Sequence, residues 1–413
     1  MESNLQSVRT RLTSVIAASV GAAALAVVPF AAPAGAASGK STINVGVIAD
    51  ISAGPTGQAS QDVPNTVNAW AKWTNAHGGI NGHRIKFIIK DDAVDSAKAQ
   101  AAAQTLIQSD HVVAIMDASS INSSWASYVQ GAKVPVISLD ESASGDTYEV
   151  NPGFFANGTT VLGILYGHVA MAKAAGGTVF GGIYCTEVAQ CATAVQIWKN
   201  DTAIIPGIKF GLAVAASNSS PNYTAQCLAM KQAGVNALFP IVRPTTTADN
   251  CAAQGYHQIY IGSQGTLTLS AASDPNLNGA VQNQQGFPWM LDKTPAQKLF
   301  HKVERTALAH ALAPPVVSAS YTGLVLLSTA LAHARGTITT QAVYNGLYSL
   351  HGTTLGGLSP TPLTFTKGQP NTQRCYFIVQ IEHKKWVAFN NGKPQCEPES
   401  AIHPGSLGKR GSS

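Results

Sequence analysis

Two adjacent serines, Ser119 and Ser120, stand between an apolar segment, residues 112–116, and a predicted helix start near Asn122. Hydroxyl groups and free backbone N–H groups at a helix start can bind an anion or a carboxylate. A serine at such a place also serves as a helix cap, and the two serines could divide these roles. The pair therefore predicts a small carboxylate site, a helix cap, or both.

Further polar residues follow other apolar segments. Glu141 and Ser142 come shortly after the predicted strand 134–138, and Arg243 comes directly after the predicted strand 237–242. A guanidinium pointing into a cleft offers a bidentate partner for a carboxylate. The alternative for Arg243 is a surface arginine at a strand end.

Motifs of catalysis are missing from the sequence. It contains no G-x-S-x-G nucleophile elbow, no H-E-x-x-H zinc pair and no Walker phosphate loop, and its 11 histidines are dispersed. We therefore predict that the chain is not an enzyme and needs no cofactor.

Six cysteines occur, all of them from Cys185 onward. An even number of cysteines in an exported chain predicts disulfides, and six allow 15 pairings. A metal site is the alternative, but the sequence has no C-x-x-C pair and no nearby histidine set, so we predict no metal. Proximity along the chain favours the pairs Cys185–Cys191, Cys227–Cys251 and Cys375–Cys396.

The N-terminus has the pattern of a secretory signal peptide. Arg9 and Arg11 precede an apolar run, residues 12–30, and small residues follow at 34–37. We predict a signal peptide over residues 1–37 and an exported protein, periplasmic or extracellular. An uncleaved membrane anchor is the alternative. Because no cysteine precedes Cys185, a lipoprotein signal is not expected.

Composition indicates a globular α/β protein. The chain has 413 residues, of which 45% are hydrophobic and 11% charged, and its formal charge is +5. This length favours two domains, and the apolar content suits buried parallel sheets. The basic residues are scattered, so no nucleic-acid partner is expected.

Apolar strands alternate with helices along the chain. A helix over residues 58–76 ends at a glycine pair, and the strand–helix rhythm restarts after residues 151–153. This alternation predicts parallel sheets covered on both faces. Near the C-terminus the alternation of apolar residues indicates a hairpin that turns at His383 and Lys384, followed by a tail over residues 397–413.

The order of these segments resembles the type I periplasmic binding proteins, in particular the leucine/isoleucine/valine-type solute-binding proteins of ABC importers. Four stretches carry the resemblance: residues 43–55, residues 78–99 with the turn Gly78-Gly79-Ile80-Asn81-Gly82 and the pair Asp91-Asp92, residues 118–120, and residues 134–138.

The resemblance implies two Rossmann-like βαβ lobes joined by a three-strand hinge. Lobe one would combine residues 42–155 and 268–358, and lobe two would combine residues 156–263 and 359–396. The crossovers would lie near residues 154–157, 262–267 and 358–365. A ligand would then sit in the cleft between the lobes, at the carboxyl ends of strands, and hinge closure would bury it.

The resemblance also implies site residues. Ser119 matches a serine that contacts the ligand's carboxylate, Ser142 matches a threonine, and Glu141 stands where the family has a small residue. In lobe two, Thr186 follows Cys185 in a stretch that departs from the family, where Ala189 replaces a tyrosine. The complete predicted set is Ser119, Ser120, Glu141, Ser142, Thr186, Arg243 and Gln264.

Gln264 stands where the family has a glutamate, and this difference affects which ligand can bind. The matching glutamate of the family binds an ammonium group, and an unpaired buried charge is very costly. Gln264 is neutral and offers both a donor and an acceptor. We therefore predict a small polar ligand, such as an amino acid, an amide or a small carboxylate. The resemblance implies that the protein captures it for delivery to a membrane ABC permease, and we expect a monomer. An extracellular sensor that feeds a signalling system is the alternative.

Overall fold

The computed structural model describes residues 40–52, 59–140, 147–187, 189–398 and 401. The predicted signal peptide, residues 1–37, lies outside this part, as do most of the predicted tail and the candidate site residues Glu141 and Ser142.

The first sheet is parallel, with five strands in the order β2-β1-β3-β4-β5. Val47 of the interior strand β1 packs in one hydrophobic core and Ile48 packs in another, so both faces of the sheet are covered. The strands are β1 (Lys40–Ala49), β2 (His83–Asp91), β3 (Ile115–Ala118), β4 (Val136–Ser138) and β5 (Phe154–Phe155).

Local sequence signals set the limits of the helices around this sheet. Asp95 accepts hydrogen bonds from the amides of Ala97 (2.9 Å) and Lys98 (3.0 Å), so it caps the second helix. The first helix ends before Gly78 and Gly79, as predicted, since both glycines have positive φ (95° and 72°). These helices are α1 (Val63–Ala76), α2 (Ser96–Gln108), α3 (Ala126–Gly131) and α4 (Thr147–Val150).

The second sheet has eight strands in the order β12-β11-β10-β9-β8-β6-β7, with β13 paired to β11. The strands from β6 to β10 are parallel, and β11 joins β10 and β12 antiparallel. They are β6 (Val179–Cys185), β7 (Lys209–Ala216), β8 (Ala237–Pro240), β9 (Ile259–Gly262), β10 (Val281–Gln284), β11 (Cys375–Glu382), β12 (Lys385–Ala388) and β13 (Gln395–Cys396).

The predicted hairpin is confirmed. It joins β11 to β12 through His383 and Lys384, whose φ angles are 50° and 63°. Positive φ at both central residues is the geometry of the two-residue turn that fits the twist of a hairpin.

In the part of the chain that the structure describes, eight further helices complete the fold. They are α5 (Val161–Ala174), α6 (Ala189–Ile204), α7 (Thr224–Gln232), α8 (Pro244–Ala253), α9 (Pro295–Val303), α10 (Arg305–Ala309), α11 (Pro314–Leu331) and α12 (Thr340–Tyr348). Among the described residues, α11 is the one helix long and apolar enough to cross a membrane, but 83% of it is buried, and it forms part of the core.

The two sheets and their helices form the two-lobed α/β fold that the sequence predicts. The division of the chain between the lobes stays a prediction, and one observation bears on it. Residues 268–358 are expected in lobe one, yet β10 within that range hydrogen-bonds to β9 and β11 of the second sheet. The chain leaves this sheet after Gln284 rather than near residues 262–267.

Three disulfides link the cysteines in the pairs that their proximity favours. Cys185–Cys191 closes the loop between β6 and α6, and Cys227–Cys251 joins α7 to α8. Cys375–Cys396 joins β11 to β13.

Candidate functional site

Four aspartates lie at the carboxyl ends of strands in the first sheet. Asp50 follows β1, Asp92 follows β2, Asp117 lies near the end of β3, and Asp140 follows β4 by two residues. All four are buried, with exposed fractions of 3%, 0%, 1% and 8%. Because carboxyl ends of parallel strands meet at one edge of a sheet, this edge is acidic.

Ser119, predicted to contact a ligand carboxylate, is buried and bonded within the protein. Its hydroxyl donates to Oδ2 of Asp92 at 2.5 Å, and its amide donates to Oδ1 of Asp117 at 3.0 Å. The same hydroxyl oxygen accepts from the amide of Ile121 at 3.4 Å. Ile121 is itself the N-cap of the short helix over residues 122–124, and that helix has no side-chain cap, so Ser119 does not cap it.

Ser120 also hydrogen-bonds an aspartate of the protein, in this case Asp50. Its amide donates to both carboxyl oxygens of Asp50, at 3.0 and 3.2 Å, and its side chain hydrogen-bonds the same carboxyl group. The donors of Ser119 and Ser120 that we predicted for a ligand are therefore hydrogen-bonded to aspartates of the protein itself.

Two carboxyl groups of the acidic edge, those of Asp50 and Asp117, have raised pKa values. Burial, together with the hydrogen bond to Asp92 and its negative charge, raises the pKa of Asp50 to about 8. Burial also raises the pKa of Asp117 to about 7, although hydrogen bonds from Asn122, the Ser119 amide and Tyr148 oppose this rise. Among the described residues, no lysine or arginine forms an ion pair with Asp50 or Asp117.

In the second sheet, Thr186 and Glu187 follow β6 and are exposed. Oε1 of Glu187 accepts from Oγ of Ser217 (2.6 Å) and from the amide of Asn218 (2.7 Å), and Oε2 accepts from the amide of Thr186 (3.1 Å). These bonds outweigh partial burial and lower the pKa of Glu187. They hold the loops after β6 and β7 together, while the hydroxyl of Thr186 makes no hydrogen bond to the described residues.

Arg243 follows β8 and directly precedes α8. Its φ is 33° and its ψ is 68°, a left-handed conformation that is strained for a residue before proline. The side chain is exposed, and within the described part of the chain its guanidinium has neither an ion pair nor a hydrogen bond. Burial raises the pKa of Tyr223, and the positive charge of Arg243 opposes this rise.

Gln264 is 2% exposed, and its side chain is fully engaged. Nε2 donates to Oδ1 of Asp140 at 2.8 Å and to Oε1 of Gln285 at 3.3 Å, and Oε1 accepts from the amide of Gln285 at 2.9 Å. The bond to Asp140 joins a loop after β4 in the first sheet to a loop after β9 in the second.

Side-chain amides also donate hydrogen bonds to backbone carbonyls where the chain passes between the sheets. Gln285 donates from Nε2 to the carbonyl of Thr159 at 3.0 Å. Asn157 donates to the carbonyls of Ser138 (3.0 Å) and Ala319 (2.7 Å). Gln264 therefore lies at the base of the cleft, against the crossover segments.

Of the predicted residues that the structure describes, Ser119 and Ser120 follow a strand of the first sheet, Thr186 and Arg243 follow the neighbouring strands β6 and β8 of the second, and Gln264 follows β9. Asp50, Asp117 and Asp140 were not among the residues predicted for the site. The signal that could have identified them is an acidic residue at or just after the end of an apolar strand, the same place that pointed to Ser119. Among the described residues, no group of three or more histidines, cysteines, aspartates or glutamates is arranged to hold a metal ion.

The fold and this cleft define a binding protein with two α/β lobes. The chain belongs to the periplasmic binding protein family, whose model matches residues 42–386. Membership in a family of non-catalytic binding proteins agrees with the prediction that the chain is not an enzyme. Together with the disulfides it indicates an extracytoplasmic location.

Solved structures share the fold at low identity. A fatty acid ABC transporter substrate-binding protein from Thermomonospora curvata aligns with a TM-score of 0.70 at 19% identity, over 87% of this chain and 94% of its own. The leucine-binding protein LivK of Thermotoga maritima aligns with a TM-score of 0.69 at 12% identity, over 84% and 97%.

A third such structure is a solute-binding protein of an ABC transporter from Rhodopseudomonas palustris, in complex with 3,4-dihydroxybenzoic acid. It aligns with a TM-score of 0.68 at 17% identity, over 86% of this chain and 97% of its own. No curated protein matches the sequence. The ligands named for these structures differ, so the shared fold carries no ligand identity.

Proposed function

We propose that this protein captures a small polar molecule between its two lobes, outside the cytoplasm, and delivers it to an ABC permease in the membrane. The observation that carries the proposal is the hydrogen bond between Gln264 and Asp140, which brings the carboxyl ends of the two sheets into contact. Open α/β sheets bind ligands at this edge. Closure of two such edges on each other can bury a ligand from both sides.

We propose Arg243 and Thr186 as the polar contacts from lobe two. Among the described residues, Arg243 has a charged group that is exposed and unpaired, and the hydroxyl of Thr186, which follows the neighbouring strand β6, makes no hydrogen bond. Arg243 suits a carboxylate or another oxygen-rich acceptor. Ser119, Ser120 and Gln264 then contribute to the shape of the cleft through their internal hydrogen bonds rather than through free donors.

The disulfide between Cys185 and Cys191 supports this assignment of lobe two. It closes the loop that carries Thr186 and Glu187, and Glu187 is bonded to the neighbouring loop at Ser217. A preorganised loop loses less entropy when it binds a ligand. We propose that the protein acts as a monomer, since capture and closure need only one chain.

Thermal-shift and calorimetric titrations test the ligand contact. The probes are leucine, a fatty acid and 3,4-dihydroxybenzoate, which represent the ligands named for the related structures, each compared with the analogue in which an amide replaces the carboxylate. We expect a probe with a carboxylate to bind, and Arg243→Ala to weaken it by roughly ten- to a hundredfold, the cost of about 1.5–3 kcal/mol for a charged hydrogen bond.

Arg84→Ala is the matched control, because Arg84 is an exposed arginine on β2, at the first sheet. It should leave the affinity unchanged. A carboxylate that binds Arg243→Ala as tightly as the wild type would remove Arg243 from the site.

A further inference from the structure

The corner of lobe one at Ser119 and Ser120 is occupied by the protein's own carboxyl groups. The Ser120 amide donates to both oxygens of Asp50, and the Ser119 hydroxyl donates to Asp92. Asp50 and Asp92 also hydrogen-bond each other. The three partners Asp50, Asp92 and Ser119 are at most 3% exposed, so this is an internal network and not a surface arrangement.

A ligand carboxylate at this corner would be unfavourable for two physical reasons. It would have to displace Asp50 from the Ser120 amide, which would leave a buried carboxyl group without its donor. It would also stand beside Asp92 and Asp117, whose carboxyl groups repel another carboxylate in a buried site whenever they are ionised. No described lysine or arginine pairs with either aspartate.

We propose that Asp50 is a specificity-determining residue: its carboxyl group fills the corner between Ser120 and Asp92, and it thereby excludes a ligand carboxylate from lobe one. A carboxylate on the ligand must then be held by lobe two. The proposal rests on the proposed function, because it concerns the same cleft.

The corner can be tested without knowing the ligand, by replacing the lost carboxyl group with a small molecule. Asp50→Ala removes a group of the size of formate or formamide and frees the Ser120 amide. Formamide can accept from Ser120 and donate to Asp92 without adding charge, whereas formate brings a negative charge next to Asp92 and Asp117. The melting temperature is measured with each additive at pH 5 and pH 8, at constant ionic strength.

We expect formamide to raise the melting temperature of Asp50→Ala in a saturable way at both pH values. Formate should do so at pH 5, where the site can take up a proton, and much less at pH 8. The wild type, whose own Asp50 fills the corner, should show no such gain with either molecule. Asp201→Ala is the matched control, since Asp201 is also buried (4% exposed) but its Oδ2 meets no donor among the described residues.

Two results would overturn the proposal. If formate stabilises Asp50→Ala at pH 8 as well as formamide does, the corner accepts a carboxylate. If neither molecule stabilises the variant more than it stabilises Asp201→Ala, Asp50 does not fill a donor-lined corner. Should Asp50→Ala fold poorly, its refolding yield in each additive gives the same comparison. All of these outcomes are independent of whether any metabolite binds, so the proposed function can fail or stand separately.

Discussion

The side-chain amide of Gln264 donates a hydrogen bond of 2.8 Å to Oδ1 of Asp140. Asp140 follows a strand of the first sheet and Gln264 follows a strand of the second, so this bond crosses the cleft between the lobes. A neutral residue is suited to this place, because it can donate to Asp140 and accept from the amide of Gln285 at once.

Gln264→Glu should therefore destabilise the protein in a pH-dependent way. The new carboxylate would lie within hydrogen-bond distance of Asp140, and repulsion between the two would raise the pKa of the pair. A raised carboxyl pKa in the folded state means that stability falls as pH rises above the ordinary carboxyl range. Melting temperatures should differ from the wild type more at pH 8 than at pH 4.5. Gln264→Met removes the same hydrogen bond without adding a charge, so its loss should change less with pH; an equal pH dependence of the two variants would contradict the prediction.

Gly158 lies where two crossover segments approach each other closely. A Cβ on this residue would stand 2.6 Å from the backbone oxygen of Gln285. Because the obstacle is backbone, Gly158→Ala should cost about 1–3 kcal/mol, the usual range for overpacking. Gly131→Ala is the control, since a Cβ there meets nothing within 4 Å. Urea unfolding measures both variants, and equal stability for the two would refute the close approach.

The disulfides should contribute unequally to stability. Cys227 and Cys251 are 24 residues apart in sequence, whereas Cys185 and Cys191 are only 6 apart. Since a cross-link restricts the unfolded chain more when its loop is longer, removing the Cys227–Cys251 pair should cost about 1 kcal/mol more than removing the Cys185–Cys191 pair. Double cysteine-to-alanine variants of each pair, unfolded in denaturant, give this comparison. The reverse order would show that strain or local contacts dominate.

Glu304 makes the stability of lobe one depend on pH. Its side chain is fully buried, and both carboxyl oxygens lack a hydrogen-bond partner among the described residues. Burial raises its pKa from 4.5 to about 9. The folded state thus keeps the proton where the unfolded chain releases it, and stability falls as pH rises from about 4.5 to about 9.

Glu304→Gln should remove this dependence. The variant should be more stable than the wild type at pH 8, and the gain should shrink toward pH 5, as measured by melting temperature. Glu382→Gln replaces an exposed glutamate and should change neither value. Parallel profiles for the wild type and Glu304→Gln would rule out a buried neutral carboxyl group.

Much of the fold could be predicted because its signals are local. The alternation of apolar strands with helices gives the two parallel sheets, and the glycines at 78 and 79 end α1. The turn at His383 and Lys384 and the pairing of neighbouring cysteines also depend on short stretches of sequence. The strand β10 was harder to predict because it has only four residues. One of its partners, β9, precedes it in the chain, and the other, β11, follows it only after the helices α9 to α12.

The site was predictable only in part because its contacts are remote in sequence. Ser119 could be identified from its place after β3, but its partner Asp92 is 27 residues away, and Ser120 meets Asp50 across 70 residues. The pattern of residue types gives the edge of the sheet where polar groups gather. It does not tell whether a serine donates to a ligand or to an aspartate of the same chain.

Capture of a small molecule is the central claim, and native mass spectrometry tests it most directly. The protein is purified after exposure to a metabolite extract, weighed in the native state, and weighed again after denaturation. We predict one small molecule per chain in the native spectrum, released chemically unchanged on denaturation. A chain that retains no molecule from the extract, or that converts one into a product, would contradict this account.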